Sequence, residues 1–141
     1  MSERLHPAEW DRDTGPFFAA AREGRLVYRR CNACGRGNHV PMASCRYCGS
    51  TETEWRESEG TGTLYSWTTV MHGVHPAWPV PYTVVIVALD DAPDVRLTGS
   101  LPGAPELNAG QAMQVWFESI GEGRVLPNWR PAEAKQERGQ S

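Results

Sequence analysis

Lysine is nearly missing from this chain. Of its 14 basic residues only Lys135 is a lysine, and 17 acidic side chains outnumber them, for a net charge of -3 and a pI near 5.8. Nucleic-acid binders usually carry a basic excess, so no nucleic-acid partner is expected. No stretch approaches the roughly eighteen apolar residues of a membrane helix, and Met1 to Pro7 lacks the apolar run of a signal peptide. These absences predict a soluble cytoplasmic protein with no membrane partner. There is no cysteine beyond two close pairs, hence no spare thiol nucleophile, and no Gly-x-Ser-x-Gly elbow. No residue is assigned a catalytic role.

What is present suffices for one small domain and an appendage. The chain has 141 residues, 40% of them apolar, and six tryptophans, whose surplus surface can meet a partner once a small core is filled. Residues 1–13 are polar and read as extended or loosely docked. Thr14-Gly15-Pro16 opens a short helix, with Thr14 as cap, Phe17, Phe18, Ala20 and Ala21 as its apolar stripe, and Gly24 as its stop. Leu26-Val27-Tyr28 and Thr53 to Glu57 read as strands on either side of the cysteines. Residues 59–62 form a turn and a boundary.

From residue 63 the pattern is β. Leu64, Ser66, Thr68 and Val70 alternate with Tyr65, Trp67, Thr69 and Met71, as in a strand with one open face. Three prolines between Pro76 and Pro81 exclude a regular central strand there. Tyr82–Leu89 reads as a strand covered on both sides, followed by strands at Val95–Leu101, Met113–Glu118 and Arg124–Trp129. Five short strands favour a Greek-key barrel over a sandwich. The predicted fold is mainly β: residues 1–24 tail and short helix, 25–58 rubredoxin-like zinc ribbon, 59–131 five-stranded OB-fold barrel, and 132–141 a flexible tail.

The strongest chemical signal is Cys31-Asn32-Ala33-Cys34-Gly35 followed by Cys45-Arg46-Tyr47-Cys48-Gly49. Each Cys-x-x-Cys turn lets two thiolates reach one ion, and the glycines relieve crowding where the backbone turns. Residues 31–48 hold few large apolar side chains and cannot fold by burial alone. Zinc at a four-thiolate site contributes about 10–16 kcal/mol, enough to offset that ordering. One structural zinc ion is therefore expected on Cys31, Cys34, Cys45 and Cys48; iron of the rubredoxin type uses the same ligands. Two local disulfides would strain short loops, and a thioredoxin-like pair would need an α/β pattern that is absent. His39 lies between the pairs but is read as a neighbour of the site. Arg29, Arg30, Arg36 and Arg46 surround the thiolates, either to neutralise them or as a phosphate-binding patch.

Beyond the cysteines, Arg22-Glu23-Gly24-Arg25-Leu26, Gly60 to Thr68, Val80 to Val85 and Leu126-Pro127-Asn128-Trp129-Arg130-Pro131 follow in a specific order. With these motifs the chain, from about Phe17 to Pro131, resembles the DUF35 family of zinc-ribbon plus OB-fold proteins. Val40-Pro41-Met42 departs from the family's frequent Pro-Pro-Arg, and Asp90 to Asp94 from its acidic-glycine turn. The resemblance implies a non-catalytic subunit beside a thiolase-like or aldolase enzyme, in a heterotetramer that handles an acyl-CoA substrate. Reactions in the family include retro-aldol cleavage of steroid side-chain CoA thioesters and thiolase or acyltransferase chemistry. Candidate interface or substrate-passage residues are Trp67, His72, His75, Pro76, Trp78, Tyr82 and Trp129, with core burial an equal reading for Trp67. The alternatives are an OB-fold binder of single-stranded nucleic acid and a rubredoxin-like electron carrier.

Overall fold

A computed structural model describes residues 7 and 9–133. Among these residues one helix, α1 (Gly15–Arg22), precedes eight strands: β1 (Leu26–Cys31), β2 (Gly37–Asn38), β3 (Thr53–Ser58), β4 (Thr61–Val70), β5 (Tyr82–Leu89), β6 (Arg96–Pro102), β7 (Ala112–Gly121) and β8 (Arg124–Pro131). The helix ends as its sequence suggests. Gly24, at φ 76°, lets its own N–H reach Ala21 O and the Arg25 N–H reach Ala20 O, at 2.9 and 3.0 Å. Its start differs from expectation: Thr14 occupies the cap position, but its side chain makes no cap bond. The Thr14 hydroxyl donates to Asp11 instead. The Asp11 carboxylate also accepts the N–H groups of Asp13 and Thr14, at 2.9 and 3.2 Å. Glu9 pairs with Arg22 and, at 3.5 Å, with Arg124. Residues 9–13 are thus held by polar bonds within the segment and by the Glu9 pairs to Arg22 and Arg124 rather than loosely docked, while 1–6, 8 and the predicted tail from 134 onward lie outside the described residues.

The first sheet has the order β2-β1-β3, all antiparallel, and carries both cysteine turns at one end. The second has the order β6-β5-β4-β7-β8. Its outer strands, β6 and β8, come side by side, and this curls the sheet into a barrel. The Asn128 side chain links them, accepting the Ser100 N–H at 2.8 Å. Gly99 permits that approach, because a Cβ there would stand 2.6 Å from Asn128 Oδ1. A five-stranded barrel of this connectivity is an OB-fold, and no helix interrupts residues 103–111.

The barrel core contains Leu64, Val85, Val87, Leu89, Met113 and Trp129. Along β5 the burial alternates between complete and partial with no exposed residue, as a doubly covered strand requires. On β4 the expected alternation fails midway. A β-bulge between Leu64 and Ser66 adds one residue: Leu64 is buried, and beyond it Trp67, Thr69 and Val70 are half-buried while Ser66 and Thr68 are exposed. The ribbon docks on the barrel by inserting Leu26 into the core and by pressing Gly37 against Val95, where a Cβ would lie 2.5 Å from Val95 Cγ2. Asp91 locks the junction by accepting from Ser58 Oγ at 2.9 Å and from the Glu59 N–H at 2.8 Å.

Candidate metal centre and apolar pocket

The two Cys-x-x-Cys turns fold alike. The Gly35 N–H bonds Cys31 O at 2.8 Å and the Gly49 N–H bonds Cys45 O at 2.9 Å, with φ of 82° and 79° at the two glycines. Facing each other, they bring all four sulfurs within 4.8 Å of one another, with Cys31 to Cys48 at 3.6 Å and Cys34 to Cys45 at 3.7 Å. Tetrahedral sulfurs about 2.3 Å from an ion stand about 3.8 Å apart, so the set fits one metal ion. The geometry suits zinc and iron alike.

Nearby donors favour thiolate. The Cys34 N–H, the foremost influence on Cys31, lowers its thiol from the ordinary value. Burial pushes the Cys45 thiol up, but the Asn38 amide and the backbone N–H groups of Cys48 and Tyr47 outweigh it, bringing Cys45 down to about 6. Cys48 gains from the Ser50 N–H, yet the adjacent Cys31 sulfur, burial and the other two sulfurs push it up to about 11. Sulfurs this close oppose one another's ionisation. Asn38 was not anticipated: it is 3% exposed, donates to Cys45 Sγ at 3.5 Å and accepts the Arg46 N–H at 2.9 Å.

Where α1, the ribbon segment 39–41 and strands β5, β6 and β8 converge, a pocket of about 500 Å³ opens, with a largely apolar wall. The helix contributes Phe17 and Phe18, and the ribbon His39, Val40 and Pro41. The barrel side includes Trp78, Tyr82, Leu126, Pro127 and Trp129, together with Glu118 and Asn128. Trp78 and Tyr82 pack against each other with ring centroids 5.5 Å apart. Burial, and then the Arg46 charge, lower the His39 imidazole below its ordinary value.

Of the residues singled out from sequence, Trp78, Tyr82 and Trp129 meet at this pocket, Trp129 as a fully buried wall. Trp67 instead packs against the barrel core. His72, His75 and Pro76 are exposed and do not line the pocket; their loop also exposes Met71 and Val74. Phe17 and Phe18 were read only as a helix stripe, Asn128 only as part of the closing motif Leu126 to Pro131, and Glu118 only as the end of a strand. Arg29 and Arg36 stack over Trp55 and Tyr47, at 5.2 and 4.6 Å from the ring centroids.

The fold and the sulfur quartet define a zinc-ribbon plus OB-fold protein. Residues 18–54 match the model of the ChsH2 rubredoxin-like zinc ribbon domain, and residues 55–118 that of the ChsH2 C-terminal OB-fold domain. The chain belongs to the DUF35 family, in its ChsH2-like branch. A probable enoyl-CoA hydratase alpha subunit from Thermomonospora curvata is 38% identical over 130 residues, which cover 90% of this chain and 40% of that protein. This chain thus spans less than half of that relative's length. In a solved structure of an Ltp2-ChsH2(DUF35) aldolase, one chain is 34% identical, with a TM-score of 0.77 covering 89% of this chain and 98% of that one. A DUF35-family protein of unknown function from Sulfolobus solfataricus shares the fold at 15% identity and a TM-score of 0.57, over 79% of this chain and 81% of that one. Among the described residues, no helix is long and apolar enough to cross a membrane.

Proposed function

We propose that this chain is a non-catalytic subunit of a thiolase-fold, acyl-CoA-processing enzyme of the cytoplasm, stabilising the complex and forming part of the acyl passage. The observation that carries the reading is the apolar pocket at the helix, ribbon and barrel junction, in a chain that matches 98% of a chain of an Ltp2-ChsH2(DUF35) aldolase. Retro-aldol cleavage of a steroid side-chain CoA thioester is the reaction we favour for the complex, with thiolase or acyl transfer next. Cys31, Cys34, Cys45 and Cys48 hold one zinc ion, whose closed shell leaves no position for substrate. The ion's work is to fix segment 39–41, one wall of the pocket. Met71, Val74 and Val80, exposed beside His72, His75 and Pro76, form the face offered to the partner in a heterotetramer.

Affinity capture of the chain from its native host, with mass spectrometry of what it retains, tests this reading. A thiolase-like or aldolase subunit in stoichiometric amount is expected. Recovery of the chain alone, or with nucleic acid in place of a protein partner, would contradict it.

A further inference from the structure

Strand β4 leaves the barrel with one side of its backbone unpaired. It meets β7 only at Thr61, Gly62 and Thr63, and the last bonds on that side join Leu64 to Gly110 and Gln111, both at 2.9 Å. Beyond them the direction of each peptide group follows from β5. The Leu89 N–H bonds Val95 O and Pro81 O accepts the Gly103 N–H, both at 3.0 Å, so Pro81 and Leu89 turn toward the β6 side. Alternation along β5, which pairs with β6 without a break, turns Tyr82, Val84 and Ile86 toward β4, where they meet Val70, Thr68 and Ser66. Trp67 and Thr69 therefore aim their N–H and C=O groups away from β5, and no backbone partner meets them there among the described residues. This edge is also unguarded. From Thr61 to Met71 there is neither a charge nor a proline, two devices that keep strand edges apart. The outer strand of the ribbon, β3, carries Glu54, Arg56 and Glu57 by contrast.

We propose that the β4 edge pairs antiparallel with the same edge of a second copy of this chain, across a two-fold axis at Thr68. In that register Trp67 of each copy stands opposite Thr69 of the other, and both residues of both copies exchange their outward N–H and C=O groups. A centre at Trp67 would set Thr69 opposite Tyr65, in the bulge, and a centre at Thr69 would set Trp67 opposite Met71, past the strand end. The edge thus completes itself in one register. Charge agrees, since the uncharged stretch meets its own copy with no like-charge contact across the seam. The two-fold arrangement is closed, so assembly ends at two copies. Residues 65–70 are far fewer than the 20–30 a side of a stable interface, so the dimer is weak and fills on the order of 0.1 mM chain.

Sedimentation equilibrium of the full-length, metal-loaded chain between about 0.01 and about 1 mM is the first measurement, and the mass should climb from monomer toward dimer and no further. Amide exchange at Trp67 and Thr69 should slow over the same range. Thr68 is exposed and meets its own copy on the axis, which makes it the specific probe of the register. Thr68→Glu or Thr68→Lys sets like charges opposite one another and should weaken the dimer about fivefold or more at low salt. An equimolar mixture of the two variants should regain at least the wild-type affinity. A monomer throughout, Thr68 variants that pair as the wild type does, or a mixture no tighter than either variant alone would each overturn the proposal. So would Trp67 and Thr69 amides slowed only by an added protein partner, which would give the edge to a strand of that partner. The wild-type concentration series is decisive even if a variant folds poorly, and none of these results bears on whether a partner enzyme is captured.

Discussion

Asn128→Ala tests the barrel seam. Asn128 is 7% exposed and makes three side-chain bonds, to the Ser100 and Trp129 N–H groups and to Glu118. Alanine removes all three and leaves the part-buried Ser100 N–H and the buried Trp129 N–H without this acceptor. An orphaned buried donor costs about 1–3 kcal/mol. With some relief from water entering at the pocket, a loss of about 2–4 kcal/mol is expected. The assay is urea unfolding of the metal-loaded chain, followed by tryptophan fluorescence. With a slope of about 1.5 kcal/mol/M, the midpoint should fall by about 1.3–2.7 M at unchanged slope. Asn128→Asp sharpens the test, because it preserves the acceptor but sets a second carboxylate against Glu118. Like charges raise the paired carboxyl pKa in the folded state. The folded protein then binds a proton more readily than the unfolded chain, so the defect shrinks as pH falls into the carboxylate range. A loss under about 0.5 kcal/mol for Asn128→Ala, the scale of an ordinary surface change, would refute the claim that this side chain closes the barrel.

Metal removal should act first on the ribbon. A chelator is expected to abolish amide protection in β1 to β3 and expose four thiols to a titrating reagent. Full ribbon protection in a metal-free chain would contradict this. The His39 imidazole, lowered chiefly by burial and further by Arg46, supplies a pH prediction. Its folded pKa lies below the ordinary 6.5, so its contribution is complete above that value and is lost as pH falls toward the folded one. Between about pH 7.5 and about pH 5 the wild type should lose more stability than His39→Phe. Equal losses by urea midpoint would count against it.

Legibility in the sequence followed the range of the interactions. The cysteine turns are local, with ligand spacing and turn glycines within a few residues, and the four sulfurs converge as their spacing predicts. The strands of the barrel were likewise readable, because a period of two is a local pattern. That same rule could not anticipate the break in alternation on β4, since a bulge adds a residue without changing the residue types around it. Thr14 looked like a cap, and only the fold of the preceding turn, with Asp11 in reach of its hydroxyl, shows why it is not one. The pocket was the least legible feature. Glu118 and Asn128 meet across the β7–β8 hairpin, but Ser100 is distant in the chain and only barrel closure brings it to Asn128; all three are ordinary surface types. Trp78 and Tyr82 could be named because aromatic residues beside prolines are conspicuous, whereas His72 and His75 in the same loop are not part of the pocket lining.

Turnover of the captured partner, assayed on its CoA thioester with and without this chain, addresses the accessory role most directly. Strong turnover is predicted only for the two together, with the chain inert by itself. Cleavage by the isolated chain at the rate of the complex, or a partner equally active without it, would contradict the account.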